Sequence, residues 1–375
     1  MPRQLPQSMG FGTAVLANLL VLVILIYATI LKSYYPDLFH WSVQEDGYLE
    51  WATFWAFFFT IGVCLKVAVR QNSAGQLPWF ILGLALFCFL FAMEEISWGQ
   101  RWLGYRPPAY FLEHNFQQEL NLHNVMGKGL RKLVFRLIIV VYGILLPLTV
   151  LVPSMNRLLR RAGVVVPPIE LVPVFAVMLS AHIYYPWRYA GEIIELMLGC
   201  TFLFASLIAL QITLSVKVVI PSVWRGSVML ILAWLLVLVL GQGTAVAVRN
   251  QTALHPENQA LVKSELQVLA RDLRHMYIPT FCELHKRVYS WVKKYKKSYM
   301  YKGEFSRRKA HGMPPERADF FLDPWNSPYW ISDRCDDGRN RRKIYIYSFG
   351  PNRKRDSNKW ELLGDDIQIL LFQKE

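Results

Sequence analysis

The sequence predicts a multi-pass α-helical membrane domain of about seven spans, followed by a small C-terminal α+β domain. Two observations carry this fold class. Residues 1–248 hold seven apolar segments long enough, or nearly so, to cross a hydrocarbon layer of ~30 Å. Beyond His255 the pattern changes to one amphipathic helical stripe and then to alternating strands. Composition agrees. The chain is 54% hydrophobic, with 13 Trp, 18 Tyr and 22 Phe, and its mean hydropathy is +0.24. Such values suit a membrane protein better than a large soluble core. The domain boundary is read as 1–248 and 249–375.

The spans are read as 12–32, 50–70, 78–97, 132–153, 171–186, 193–215 and 227–248, the fifth being short. The first is too long for a cleaved signal peptide, and Leu31-Lys32-Ser33-Tyr34-Tyr35 offers no small-residue cleavage site. Place the N-terminus and the even loops on one side of the membrane. Lys and Arg then divide equally between the two sides, while ten of the eleven acids in 1–248 fall on the other. The third loop causes the tie. It is long, mixed in sign and aromatic, and is read as lying along the interface or folding back. With it set aside, the positive-inside rule puts the N-terminal side in the cytoplasm and exports the C-terminal domain.

The net charge of +14 is uneven: +5 in residues 1–248 and +9 in 249–375. A basic domain beside a membrane implies attraction to anionic headgroups. No nucleic-acid motif is present, so no nucleic-acid partner is expected. Pro256 suits the first turn of a helix. Val262, Leu266, Leu269, Leu273 and Met276 then form one apolar stripe, which Pro279 ends or kinks. A basic run, Lys293-Lys294-Tyr295-Lys296-Lys297, is interleaved with Trp291, Tyr295 and Tyr299. Met313-Pro314-Pro315 is read as a loop. Strands are expected at 329–332, 343–349 and 367–372. Cys64, Cys88 and Cys200 lie in apolar runs and read as inert core residues. Cys282 and Cys335 could form one disulfide if their domain is exported.

Three blocks in the C-terminal domain carry a resemblance. They are Asp323-Pro324-Trp325-Asn326-Ser327-Pro328-Tyr329, then Tyr347-Ser348-Phe349-Gly350-Pro351-Asn352, then Gly364-Asp365-Asp366-Ile367. In this order and spacing they resemble the C-terminal domain of the major pseudopilin of type II secretion, over roughly 255–375. The resemblance implies a long helix laid against a small antiparallel sheet. It also implies a Ca²⁺ ion in the loop joining the last strands, with Asn352, Asp356, Asp365 and Asp366 at the matching positions. A hard cation needs several oxygens, and such a loop supplies them. This chain departs from the family in two ways. Arg353, Lys354, Arg355 and Lys359 crowd the loop with positive charge, and Asn352 replaces an Asp. The seventh span also lacks the Glu of a prepilin-peptidase site and begins after 226 residues of other protein. The resemblance therefore implies a pilin-like head on a membrane anchor rather than a polymerising subunit.

The membrane part has its own signal. Glu45, Asp46 and Glu50 open the second span, and Glu94-Glu95 close the third. Glu113, His114, Glu119, Asn121, His123 and Asn124 lie in the third loop. His182 ends the fifth span, and Glu192 and Glu195 open the sixth. Span parity places all of them near one membrane face. Ionisable groups inside a span are costly unless paired, and so mark a function or a partner. Glu94 and Glu95 are the candidate catalytic residues. His123, His182 and Glu195 are candidate ligands of a transition metal. Pairing of Glu94 and Glu95 with Arg101, Arg106 or Arg188 is the structural alternative. No Ser-His-Asp arrangement, phosphate-binding Gly loop or HExxH is present.

The function expected is binding or assembly at a bacterial cell envelope. The protein would sit in the inner membrane with its pseudopilin-like domain in the periplasm, against lipid or a secretion partner. The alternative is an intramembrane metal-dependent hydrolase acting on lipid or peptide.

Overall fold

A computed structural model describes residues 9–44, 46–115, 118–184, 190–213, 222–252, 256–273, 285–295, 313–335, 342–353, 355–357 and 362–374. Met276, Pro279, Cys282, Lys354, Lys359 and residues 296–299 lie outside them. The chain divides into two compact units. One comprises Met1–Trp98 and Met126–Ala245, the other Gly99–Val125 and Val246–Glu375.

The first unit is helical. It holds α1 (Phe11–Tyr34), α2 (Pro36–Ser42), α3 (Tyr48–Ser73) and α4 (Trp79–Glu95). Two short helices of the other unit follow, α5 (Gln100–Leu103) and α6 (Ala109–His114). The first unit resumes with α7 (Lys128–Leu137), which runs through a wide π-helical stretch, Ile138–Leu145, into α8 (Leu146–Leu148). Pro147 explains the widening. It has no N–H, and its ring would strike the carbonyl of residue 143, so the ladder shifts register there. Next come α9 (Pro153–Arg161), α10 (Val172–Tyr184), α11 (Ala190–Thr213) and α12 (Ser222–Thr252).

Five helical stretches are long and apolar enough to cross a membrane: Phe11–Tyr34, Tyr48–Ser73, Gly129–Leu151, Gly191–Ile212 and Gly226–Val248. The segments read as the third and fifth spans form shorter helices. The third has 17 residues, about 25 Å at 1.5 Å per residue. It stops at Glu95 because Ser97 and Trp98 take φ of 46° and 56°, which no right-handed helix admits.

α11 lies at the centre. Of its apolar window 83% is buried, against 22–44% for the other four long spans. The apolar side chains of α1 and α12 that face outward, such as Leu19, Ile26, Leu232 and Val239, suit contact with lipid tails. Small residues set the helix spacing. A Cβ on Gly199 would come within 3.0 Å of the Ala56 Cβ, and one on Gly241 within 2.8 Å of the Ala52 backbone. Such close approach replaces the hydrophobic drive that lipid cannot supply. Polar side chains tie helices together. The Trp55 indole donates to Thr244 Oγ1 at 2.9 Å. Asn18 donates to the Glu170 carbonyl at 2.8 Å and accepts from the Val174 N–H at 3.1 Å. Cys64, Cys88 and Cys200 are buried and unbridged, as expected.

The second unit contains α13 (Pro256–Leu273), α14 (Val288–Tyr295) and α15 (Pro315–Ala318). Its four-stranded antiparallel sheet runs in the order β1 (His285–Arg287), β2 (Trp330–Cys335), β3 (Arg342–Ser348) and β4 (Ile367–Lys374). The apolar stripe of α13 packs with Ile331, Ile344, Ile346 and Leu371 in one core. Three strands match the sequence reading to within three residues at each end. β1 was not expected, since His-Lys-Arg has no apolar alternation. It owes its place to pairing with β2 and to the stacking of His285 on Trp330 at 4.6 Å.

One boundary differs from the sequence reading. Residues 99–125 belong to the C-terminal unit rather than to the membrane part. Arg287 donates to the Asn115 carbonyl at 2.9 Å, and Asn326 to the Gly104 carbonyl at 3.1 Å. Lys293 pairs with Glu113 at 2.7 Å, and Arg106 lies 5.3 Å from the Phe320 ring centre. Within the segment, the Asn115 amide bridges the Glu119 carbonyl and Asn121 Oδ1, each at 2.7 Å. The polar third loop thus finds sequence-distant partners, Arg287, Lys293, Phe320 and Asn326, within its own unit.

Candidate functional site

Three carboxylates converge in the first unit. Glu95 is the last residue of α4, placed there by the reversal at Ser97 and Trp98. Glu192 and Glu195 sit in the first two turns of α11, spaced i, i+3 and so on one helix face. One ligand oxygen from each of Glu95, Glu192 and Glu195 lies within 4.8 Å of the others. Glu95 is buried, and the other two are half-buried. Glu50 and Glu94 add negative charge beside Glu95, while Arg131 is a basic neighbour of Glu192. Glu50 accepts the Asp46 N–H, and Glu94 accepts the Trp98 indole N–H at 2.9 Å.

Two like charges 4.8 Å apart repel by about 3–4 kcal/mol at an effective dielectric of ~20. Three carboxylates in that space therefore share protons or share a cation. All donors are oxygens. An all-oxygen donor set is the kind that hard divalent ions such as Mg²⁺, Ca²⁺ and Mn²⁺ take.

The structure does not bring the two histidines into this group. His182 Nδ1 accepts from Arg136 Nε at 3.3 Å, and its ring stacks on Phe135. A lone pair facing a guanidinium is not offered to a metal. His123 lies in a turn of the other unit. Glu192 was not among the ligands expected from sequence. Its signal was the i, i+3 spacing with Glu195.

The β3–β4 loop forms a second oxygen-rich site, in the C-terminal unit. Asn352 donates its backbone N–H to Asp365 Oδ2 at 2.9 Å and its side-chain amide to Asp356 Oδ2 at 2.6 Å. The Ser357 N–H reaches Asp366 Oδ2 at 2.8 Å. The second oxygens of Asp365 and Asp366 are buried without a hydrogen-bond partner. Gly350 and Gly364 take φ of 72° and 63°. A Cβ at Gly364 would overlap Asp356 Oδ2, and one at Gly350 would lie 2.2 Å from the Asp365 carbonyl. Only glycine lets these oxygens crowd together. Orphaned acceptors in a tight cradle fit a small hard cation.

The Asp-Pro-Trp block has a structural role. Asp323 is fully buried and accepts the N–H groups of Trp325 and Ser327 at 3.0 and 2.9 Å and the Ser348 hydroxyl at 2.6 Å. It stitches the turn before β2 to the end of β3. Nearby, buried Glu265 on α13 receives both terminal nitrogens of Arg317 and the Tyr329 hydroxyl. The sequence reading missed this group, because Glu265 lies on the apolar stripe and its partners are remote in sequence.

No protein-family model, curated protein or solved structure matches the chain.

Burial pushes Asp323 up to about 6. Burial and a hydrogen bond with Asp356 push Asp365 up to about 7, and burial raises Asp366 to about 6. The folded state therefore holds more protons than the unfolded chain between about pH 4 and about pH 7. The stability these groups add is complete below that window and is lost as pH rises through it. In chelator, the melting temperature of the C-terminal unit within the full chain should fall from pH 4.5 to 7.5. Asp365→Asn with Asp366→Asn should flatten the fall. A rise over that range in the wild type would contradict the assignment.

Proposed function

We propose that this chain is a seven-span protein of a bacterial inner membrane that acts as a metal-dependent hydrolase on a lipid or peptide within the bilayer. Glu95, Glu192 and Glu195 hold a divalent cation. The convergence of three carboxylate oxygens from two apolar helices carries this reading. An ion there would polarise a substrate carbonyl or phosphoryl oxygen and acidify a bound water. Glu94, oriented by the Trp98 indole, is a further carboxylate able to take the proton.

Parity supports seven spans. Residues 99–125 and 246–375 belong to one compact unit and so lie on one side of the membrane. The chain between them must then cross an even number of times. The long apolar stretches in that interval are Gly129–Leu151, Gly191–Ile212 and Gly226–Val248, which is an odd number. The shorter helix Ile169–Tyr184 supplies the fourth crossing. With α1, α3 and α4 crossing as well, the count is seven and the N-terminus faces the other side. Gln373→Cys should react with an impermeant thiol reagent in intact cells, and Asn72→Cys only after lysis. Identical accessibility of the two would remove this topology.

The metal is tested on detergent-purified protein equilibrated with Mg²⁺, Ca²⁺ or Mn²⁺ and then desalted. In an Asp365→Asn, Asp366→Asn background, which removes the β3–β4 loop's ligands, the protein should retain about one ion. Glu95→Gln and Glu195→Gln should lose it without unfolding, whereas Glu94→Gln should keep it. Removing charge from a merely structural ion pair would instead lower the melting temperature, because a buried cation is left behind. Retention of no divalent ion in that background would overturn the assignment.

The C-terminal unit supports a second reading, that of a pseudopilin-like head docking an envelope or secretion partner. A helix packed on a small antiparallel sheet is the layout that the resemblance implies. The β3–β4 loop offers the oxygens of Asn352, Asp356, Asp365 and Asp366 to Ca²⁺. A ligand at a hundredfold excess over its Kd stabilises by ~2.7 kcal/mol, which should appear as a rise of several degrees in melting temperature in millimolar Ca²⁺. Asp365→Ala with Asp366→Ala should abolish that rise.

A further inference from the structure

The span Gly129–Leu151 ends in a basic amphipathic helix. α9 carries Arg157, Arg160 and Arg161, and no acid occurs from residue 153 to residue 169. Its apolar side chains are exposed along with the neighbouring end of the span: Leu151, Val152, Met155 and Leu158 all face outward. Ser154, Arg157, Leu158 and Arg161 line one open cleft. They fall at i, i+3, i+4 and i+7, a single stripe of the helix.

The helix is fixed in place rather than trailing. The Trp79 indole, itself exposed, donates to the Ala162 carbonyl at 2.5 Å and so ties the end of α9 to the start of α4. Gly163 takes φ of 75° to leave the helix, and a Cβ there would lie 3.1 Å from the Leu77 carbonyl. Arg157 Nε returns to the Pro153 carbonyl at 3.3 Å, which lays that side chain along its own helix. An exposed indole at a span end is a mark of the headgroup layer.

We propose that α9 is a binding site for the headgroup of an anionic phospholipid in the bilayer that surrounds the protein. Arg157 and Arg161 take the phosphate oxygens with forked N–H donors, and the Ser154 hydroxyl adds a third donor. Leu158 lies against the start of the acyl chains. Charge complementarity identifies the occupant: the stripe's charges are all basic, and it continues directly from a helix long and apolar enough to cross a membrane. A zwitterionic lipid also has a phosphate, but it brings a cation against three arginines.

The test uses the full chain in mild detergent and a fluorescent phosphatidylglycerol, with binding followed by anisotropy. Arg157→Gln with Arg161→Gln should weaken binding by roughly thirtyfold. Arg157→Lys with Arg161→Lys should restore only part of the affinity, because an ammonium keeps the charge but not the fork. Competition on the wild type needs no variant: unlabelled phosphatidylglycerol should displace the probe at least tenfold better than phosphatidylcholine. Raising salt from 0.15 M to 1 M should weaken binding, because exposed charges are screened. Equal competition by the two lipids would overturn the proposal, as would undiminished binding to a folded double-Gln variant. Displacement by millimolar inorganic phosphate would point to a soluble anion and overturn it too.

Discussion

The burial of α11 is the constraint on which the membrane unit depends. Of the described helices long and apolar enough to cross a membrane, it has 83% of its apolar window buried, against 22–44% for the other four. α1, α3 and α10 pack against it, and α4 packs on α3. Lipid tails are as apolar as Leu, so this packing rests on fit and not on expulsion of water. Gly199 against Ala56 and Phe57 provides that fit at the centre. Enclosing α11 also encloses its first turns. Glu192 and Glu195 are carried into a space that Glu95 already occupies. Crowding one buried and two half-buried carboxylates together carries an electrostatic cost.

The C-terminal unit solves a different problem. A short helix on a four-stranded sheet has little core, and several of its buried positions are polar. Glu265, Arg317 and Tyr329 satisfy one another beneath α13, and Asp323 satisfies the turn that leads into β2. These groups cost free energy to bury and repay it through specific geometry, so they fix how helix, turn and sheet meet. The Asp-Pro-Trp block owes its form to that role. Its carboxylate is an internal hydrogen-bond hub, and so the block identifies a fold element rather than a catalytic centre.

Attachment of residues 99–125 to this second unit ties fold to topology. A polar loop between two spans needs partners for Asn115, Glu113 and the Gly104 carbonyl, and Arg287, Lys293 and Asn326 provide them. The same pairing constrains how many times the intervening chain can cross the membrane.

By itself the sequence determined the membrane class, the long spans, the α13 stripe and three of the four strands. Each is written in local hydrophobic periodicity, which survives without tertiary context. It also marked Glu95 and Glu195, because a charge at the edge of an apolar run is conspicuous in one dimension. Tertiary structure alone decided which of the marked residues meet. Glu192 joined the carboxylates because the i, i+3 face of α11 turns inward, and His182 did not, because Arg136 on a helix 46 residues away takes its lone pair. β1 and the docking of 99–125 were equally illegible. Their partners lie more than 40 residues distant, and pairing at that range is set by complementary donors and acceptors rather than by any local pattern.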